Sequence, residues 1–292
     1  MLNPSPLRYP GGKNRLSRFI GVSIENAGMQ GCTYIEPFAG GAGVALSLLL
    51  DGIVKKIVIN DYDKAVYSFW RAVKTEPAAL IKKIKQTDVS IDEWYKQREI
   101  YRSSNAYSLE LAFATLFLNR TNRSGILINA GPIGGYAQNG AWTLDVRFDK
   151  QAIIEKIERI AERANSITVY NKDIISLLQR YVPHYGDHMF VYFDPPYYQK
   201  GQKLYKNFLS PKDHMRIRDE IVHHIHSPWI ITYDDTPEIS ELYTHYATRR
   251  FDLTYSAANK GTASELMIFS DIAFCPSKAQ LDERKIAINF RN

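Results

Sequence analysis

The chain has 292 residues, 45% of them hydrophobic, so it can bury a sizeable core as one large domain or as a domain with an insertion. Its net charge of +6 suits a polyanionic partner but does not identify one. The two cysteines show no disulfide pattern, and neither a signal peptide nor a membrane-length apolar run is evident, so we expect a cytoplasmic protein without a membrane segment.

Near the N-terminus, a turn-forming loop combines an aromatic ring, cations and glycines. Tyr9 and Lys13 flank the Pro-Gly-Gly of residues 10–12, and a helix is predicted over residues 16–24. Because paired glycines let a backbone approach a ligand closely, this loop is a candidate binding element. A disordered basic arm is the alternative.

A strand, glycine loop and helix follow over residues 34–50. In dinucleotide-binding folds, the helix start after such a loop faces a pyrophosphate. Here Glu36 stands at the end of the strand and would repel phosphate. The acid instead favours a ligand that carries an ammonium group or hydroxyls, such as the amino-acid end of S-adenosylmethionine.

Asp61 follows a second predicted strand, residues 55–60. In nucleoside-binding α/β folds, an acid about 20 residues after the glycines meets the ribose hydroxyls. The alternative is that Asp61 or Asp63 merely caps the next helix, residues 64–74.

Residues 64–118 lose the alternation of strands and helices and are predicted to be helical. The segment after them, through residue 147, is rich in glycine, asparagine and aromatics, and long connections of this kind are usually functional or disordered. Arginine and glutamine side chains can contact base edges, so Arg120, Arg123 and Gln138 are candidate DNA contacts. A flexible surface loop is the alternative.

The rest of the chain returns to alternating helices and strands. Helices are predicted over residues 151–164 and after the cap Ser210, and strands over residues 167–170, 189–193, 228–234, 249–255 and 265–270. Asp173 is a further acid at a strand end. The spacing of His223, His224 and His226 matches no metal site and is more typical of a helix face, so no metal is expected.

An apolar run, residues 189–193, predicts a buried strand that ends at Asp194 and is followed by two prolines. The amino nitrogen of adenine is a poor nucleophile because its lone pair is delocalised into the ring. Acceptors on both of its hydrogens, the Asp194 side chain and the Pro195 carbonyl, would localise that lone pair. Tyr197 offers a flat face for an unstacked base. A strand-terminating turn is the alternative.

Several motifs occur together and in order, and through them the chain resembles the Dam-type DNA adenine-N6 methyltransferases nearly from end to end. They are residues 8–13, residues 36–41, Asp61, residues 119–121 and residues 194–197. The resemblance implies an α/β fold: a Rossmann-like core with a mixed seven-stranded sheet, residues 1–63 and 148–292, and an inserted, mainly helical target-recognition domain, residues 64–147.

The resemblance also implies site residues. The catalytic residues are then Asp194, Pro195, Pro196 and Tyr197. The residues that bind S-adenosylmethionine are Tyr9, Lys13, Glu36, Phe38, Gly40, Asp61, Asp173 and Asp194. One departure concerns the target sequence: residues 122–135 lack the Asn-Xaa-Pro-Phe-Gly pattern of members that act at GATC, which leaves the target open.

The implied function is methyl transfer to N6 of a flipped adenine in double-stranded DNA by a monomer, with a cognate restriction endonuclease as a candidate partner. Cytosine-N4 methylation, an RNA substrate and a catalytically silent DNA-binding regulator are the alternatives. A nicotinamide oxidoreductase is disfavoured by Glu36 and by the Asp-Pro-Pro-Tyr motif.

Overall fold

The computed structural model describes residues 3–8, 13–199, 209–254 and 262–291. Its centre is one sheet, with the strand order β3-β2-β1-β4-β5-β7-β6-β8 in the described residues. The strands are β1 Thr33–Glu36, β2 Lys56–Asn60, β3 Ile167–Tyr170, β4 Met189–Phe193, β5 Trp229–Asp234, β6 Ala247–Thr254, β7 Thr262–Phe269 and β8 Phe290–Arg291.

The sheet is parallel from β3 to β5, and β7 is antiparallel to both β5 and β6. Strand β1 lies between β2 and β4, and the direction of strand order reverses there. Ligands of open α/β sheets bind at the carboxyl ends of the strands beside such a reversal. The predicted Rossmann-like α/β fold is confirmed. The expected strand count was seven, and the two-residue β8, too short for a periodicity signal, adds an eighth at the edge of β6.

Both faces of the sheet are covered. Successive side chains of a strand point to opposite faces, so Tyr34 and Phe190 join one buried cluster while Ile35 and Val191 join another. A strand that is buried on both sides reads as a continuous apolar run, which explains the pattern of residues 189–193.

Helices pack on both faces. They are α1 Ser17–Asn26, α2 Gly43–Leu50, α3 Lys64–Thr75, α4 Pro77–Gln86, α5 Ile91–Ser103, α6 Leu109–Thr121, α7 Lys150–Ala161, α8 Ile174–Ser176, α9 Pro211–His224, α10 Pro237–Leu242 and α11 Lys278–Glu283. Side-chain caps at Asp63, Ser108 and Asp149 fix the starts of α3, α6 and α7. In the part of the chain that the structure describes, none of the helices has both the length and the apolar character that a bilayer span needs.

The predicted inserted domain, residues 64–147, does not have a core separate from that of the sheet. Phe69 and Trp70 of α3 lie in the same buried cluster as Tyr34 and Ile57 of the sheet. The helices α3–α6 therefore extend one face of the core, and the bounds of a target-recognition domain stay a prediction.

Candidate active site

A cavity of about 690 Å³ lies beside the point where the strand order reverses. Such a volume is typical of small-molecule sites. Most of the predicted site residues line it, although they are far apart in sequence: Lys13, Glu36, Phe38, Gly40, Asp61, Asp173, Asp194 and Pro196. Tyr9 lies outside the described residues.

Glu36 is a buried acid at the end of β1 whose side chain reaches the start of α2. The residue is 4% exposed, and its Oε2 accepts a hydrogen bond from the backbone N–H of Ala45 at 3.0 Å. Burial raises the pKa of Glu36 to about 8, and the negative charge of Asp194 adds to the rise. The acid thus occupies the helix end at which a dinucleotide fold would bind its pyrophosphate, which disfavours a phosphate there.

Asp61 fixes the glycine loop from the neighbouring strand. Its Oδ2 accepts from the N–H of Gly40 at 2.9 Å, and its Oδ1 accepts from the N–H of Asp63 at 2.8 Å. The Gly40 carbonyl accepts from the indole of Trp70 at 2.8 Å. The cap of α3 is Asp63, so the interpretation of Asp61 as a simple helix cap is wrong. Burial raises the pKa of Asp61 to about 7.

Asn60, at the end of β2, which the sequence did not single out, joins two loops under the cavity. Its Nδ2 donates to the carbonyls of Pro37 and Lys172 at 3.0 and 3.2 Å, and its Oδ1 accepts from the N–H of Lys172 at 2.9 Å. A polar residue at the end of a buried strand is the signal that could have revealed it. Nearby, the Asp173 carboxylate caps α8 through Oδ1 and lines the cavity.

Asp194 belongs to a buried charged group at the end of β4. Lys13 Nζ lies 3.2 Å from Asp194 Oδ1 and 3.2 Å from Glu265 Oε2. The Thr232 hydroxyl donates to Asp194 Oδ1 at 3.0 Å. Burial raises the pKa of Asp194, and the charge of Lys13 opposes that rise. Lys13 and Thr232 therefore hold and orient this carboxylate.

Tyr197 differs from its predicted role as an open stacking surface. The residue is 6% exposed, its hydroxyl donates to Glu265 at 2.8 Å, and Lys13 Nζ donates to that hydroxyl at 3.0 Å. Lys13 Nζ also lies 4.9 Å from the ring centroid. These buried charges draw the ring inward, so in this conformation Tyr197 positions Lys13 and Glu265 and does not line the cavity.

The sequence also did not identify Glu265, Thr232 and Asp234 as site residues. Asp234 accepts from the N–H groups of Tyr198 and Gln199 at 2.8 and 2.9 Å, which fixes the turn after the two prolines. Glu265 lies opposite Asp234 in the β5–β7 pair. A threonine and an acid inside two strands, and an acid at the end of one of them, are a weak signal, because their proximity to Asp194 depends on sheet order.

The predicted DNA-contacting residues fall into three environments. Arg123 is exposed, and Arg120 is half-buried close to Arg8. Gln138 donates through Nε2 to the carbonyl of Ile133 at 2.8 Å and accepts from the N–H of Leu144 at 3.0 Å. The amide of Gln138 thus stabilises its own loop, and a base contact by this residue stays a prediction.

The family model for D12 class N6 adenine-specific DNA methyltransferases matches residues 9–257. The chain belongs to this family. It is an adenine-specific DNA methyltransferase, and its methyl donor is S-adenosylmethionine. Family membership decides for adenine N6 against the alternatives of cytosine N4, an RNA substrate and a silent regulator.

Two Type II methyltransferases and one solved structure illustrate what this methyltransferase is similar to. The Type II methyltransferase M.MjaIII of Methanocaldococcus jannaschii is 25% identical over 65% of this chain and 68% of its own length. The Type II methyltransferase M1.LlaDCHI of Lactococcus lactis subsp. cremoris is 24% identical over 80% and 85%. The structure of the rRNA methyltransferase aviRa from Streptomyces viridochromogenes has a TM-score of 0.43 at 14% identity, covering 90% of this chain and 86% of that chain.

Proposed function

We propose that this methyltransferase acts on an adenine flipped out of double-stranded DNA and placed against Asp194. The observation that carries the proposal is the exposure of the charged group. The Asp194 side chain is 22% exposed, against 3% for Lys13 and 2% for Glu265, so Asp194 is the member of the group that a substrate can reach. Its contacts with Lys13 and Thr232 fall on Oδ1, which leaves Oδ2, as far as the described residues show, for a substrate N–H.

The chemistry follows from those contacts. Asp194 Oδ2 and the Pro195 carbonyl accept hydrogen bonds from the two amino hydrogens of adenine, so the nitrogen lone pair becomes available to attack the methyl group. Lys13 and Thr232 keep the carboxylate ionised and oriented, so Asp194 both positions the amino group and accepts the proton that N6 loses on methylation. The bound cofactor supplies an electrophilic methyl group. Pro196, at the cavity wall, holds the loop rigid.

The cavity residues fit S-adenosylmethionine. We assign Glu36 to the cofactor ammonium group, because a cation would stabilise the ionised form of this buried acid, whose pKa is about 8. We assign Asp61 to the ribose hydroxyls and Asp173 to the adenine amino group. Phe38 and Gly40 line the same cavity and give the cofactor an apolar contact and a close backbone approach.

We further propose a cytoplasmic monomer that works beside a cognate restriction endonuclease. The two relatives M.MjaIII and M1.LlaDCHI, both Type II methyltransferases, support the pairing with an endonuclease. Sedimentation velocity with and without duplex DNA tests the monomer. Co-expression with a restriction endonuclease that cuts at the methylated sequence tests whether methylation protects host DNA.

A pair of duplexes tests the central proposal: in one the target adenine is paired with thymine, and in the other it is mismatched. Flipping should be easier from the mismatch, so the mismatched duplex should bind more tightly and be methylated at least as fast. Mass spectrometry of the product nucleosides should show N6-methyldeoxyadenosine. Weaker binding of the mismatched duplex would contradict flipping, and N4-methyldeoxycytidine would contradict the base assignment.

A further inference from the structure

The N-terminal strip, residues 3–8, is clamped onto the end of α6. The Arg8 N–H donates to Asn119 Oδ1 at 2.7 Å, and Asn119 Nδ2 donates to the carbonyls of Arg8 and Gly125 at 2.8 and 2.9 Å. Gly125 has a φ of +75°, and a Cβ there would lie 2.4 Å from the Arg8 carbonyl oxygen. The position of Arg8 is therefore fixed by α6 and by the segment that follows it.

The same packing gathers further cations around Arg8. Arg120 is the residue after Asn119 on α6, and the ring of Phe117, one turn earlier, lies 5.3 Å from that of Phe148, which places Arg147 nearby. From α7, Lys156 Nζ donates to the carbonyl of Ser5 at 3.3 Å. The cationic cluster, as we call it, consists of Arg8, Arg120, Arg147 and Lys156.

The cationic cluster has little compensating negative charge. Burial lowers the pKa of Arg120 to about 10, and the charges of Arg8 and Arg147 add to that effect. Burial also lowers the pKa of Lys156, with Arg120 contributing. Asp149 opposes the shift of Arg120, but its Oδ1 already accepts from the N–H of Ala152 to cap α7.

Two guanidinium atoms of the cluster have unmet hydrogen-bonding capacity. In the described part of the chain, Arg8 Nη1 and Arg120 Nε are buried and have no hydrogen-bond partner. A buried donor without an acceptor is costly, so each such atom needs an explanation. Arg147 is exposed, which leaves the cluster open to an anion from solution.

We infer that Arg8, Arg120, Arg147 and Lys156 bind a backbone phosphate of the DNA substrate. Guanidinium donors match the geometry of phosphate oxygens, and a phosphate would satisfy the orphaned donors and reduce the repulsion. That the anion is a DNA phosphate rests on the proposed duplex substrate. Asn3, Ser5 and Leu7 of the same strip line the cofactor cavity, so DNA held at the cluster would also fix one wall of that cavity.

The test is the salt dependence of binding to a duplex without a target adenine. Each phosphate contact contributes about −0.9 to the slope of log K against log salt, and Arg147→Gln should lose one such contact. A fourfold rise in salt should therefore weaken wild-type binding about 3.5-fold more than binding by Arg147→Gln. Lys156→Gln should show the same reduced salt dependence as Arg147→Gln. Arg159→Gln, an exposed change on the same helix α7, is the matched control and should keep the wild-type slope.

A second measurement separates DNA from a free ion. Inorganic phosphate should raise the melting temperature of the wild type more than that of Arg147→Gln. If phosphate does so but the DNA slope of the variants equals that of wild type, DNA does not use this site and the inference fails. If instead the salt slopes of wild type and Arg147→Gln differ as expected but duplex adenine is not methylated, the proposed function is overturned and the phosphate site stands.

Discussion

Lys13 Nζ lies 3.2 Å from a carboxylate oxygen of Asp194 and 3.2 Å from one of Glu265, so two acids share one ammonium group, whose single charge compensates only one of them. The two acids repel each other, and both depend on the same cation. The ionisation of Asp194 is therefore set by residues from the N-terminal loop and from β7 as much as by its own strand.

This relationship predicts opposite pH shifts for two variants. Lys13→Met removes the charge that lowers the pKa of Asp194, so the acidic limb of the turnover profile should move to higher pH. Glu265→Gln removes a charge that raises that pKa, so the limb should move to lower pH. Stopped-time methylation assays with saturating cofactor and DNA measure both. Shifts in the same direction would show that Glu265 does not act through Asp194.

Glu36 predicts how stability depends on pH. Its pKa of about 8 lies above the ordinary value of 4.5, so the folded protein holds a proton that the unfolded chain releases. Stability without cofactor should therefore fall as pH rises from about 5 to 8. In urea titrations, Glu36→Gln should flatten this decline and gain stability at pH 8, at the expense of cofactor affinity. The exposed change Glu110→Gln is the control, and a decline that Glu36→Gln leaves unchanged would reject this account.

Asp61 and Asp63 form a matched pair for testing cofactor binding. Asp61→Asn replaces one acceptor with a donor beside the N–H of Gly40 or Asp63 and removes the charge assigned to the ribose. We expect a loss of about 1.5–3 kcal/mol in binding of S-adenosylhomocysteine by calorimetry. Asp63→Asn should be near neutral, because asparagine caps helices about as well as aspartate. Equal losses in both variants would point to general loop damage.

Much of the site was predictable because it depends on local sequence. The apolar runs before Glu36 and Asp194 end at acids, and parallel strands bring such ends to one edge. The glycine loop and Asp61 follow the same logic. Those features predicted the acids Glu36, Asp61 and Asp194 that line the cavity.

The remaining features depend on long-range packing. Glu265 reaches Lys13 because β7 is inserted between β5 and β6, an order that periodicity does not reveal. Tyr197 turns inward because those charges are buried beside it. Gln138 looked like a base contact since its residue type is suitable, but its hydrogen bonds depend on the conformation of the loop.

Arg123 and Gln138 should therefore differ when each is replaced by alanine. Arg123 is exposed, and if it contacts a base, Arg123→Ala should cost about 1–3 kcal/mol and relax the preference at one position of the target. Gln138→Ala should lower activity at every site, through loss of loop structure. Sequencing of methylated bases in DNA from expressing cells measures both, and a position-specific change in Gln138→Ala would show that Gln138 contacts a base.

The most direct test of the central claim, that Asp194 activates the adenine amino group, is single-turnover methylation by Asp194→Asn with preformed enzyme–cofactor–DNA complex. Asparagine keeps the size of the side chain but removes the charge that Lys13 and Thr232 orient. The account predicts a fall in the methyl-transfer rate of at least about 10²-fold, with DNA affinity and cofactor affinity within a few-fold of wild type. A rate near that of the wild type would contradict it.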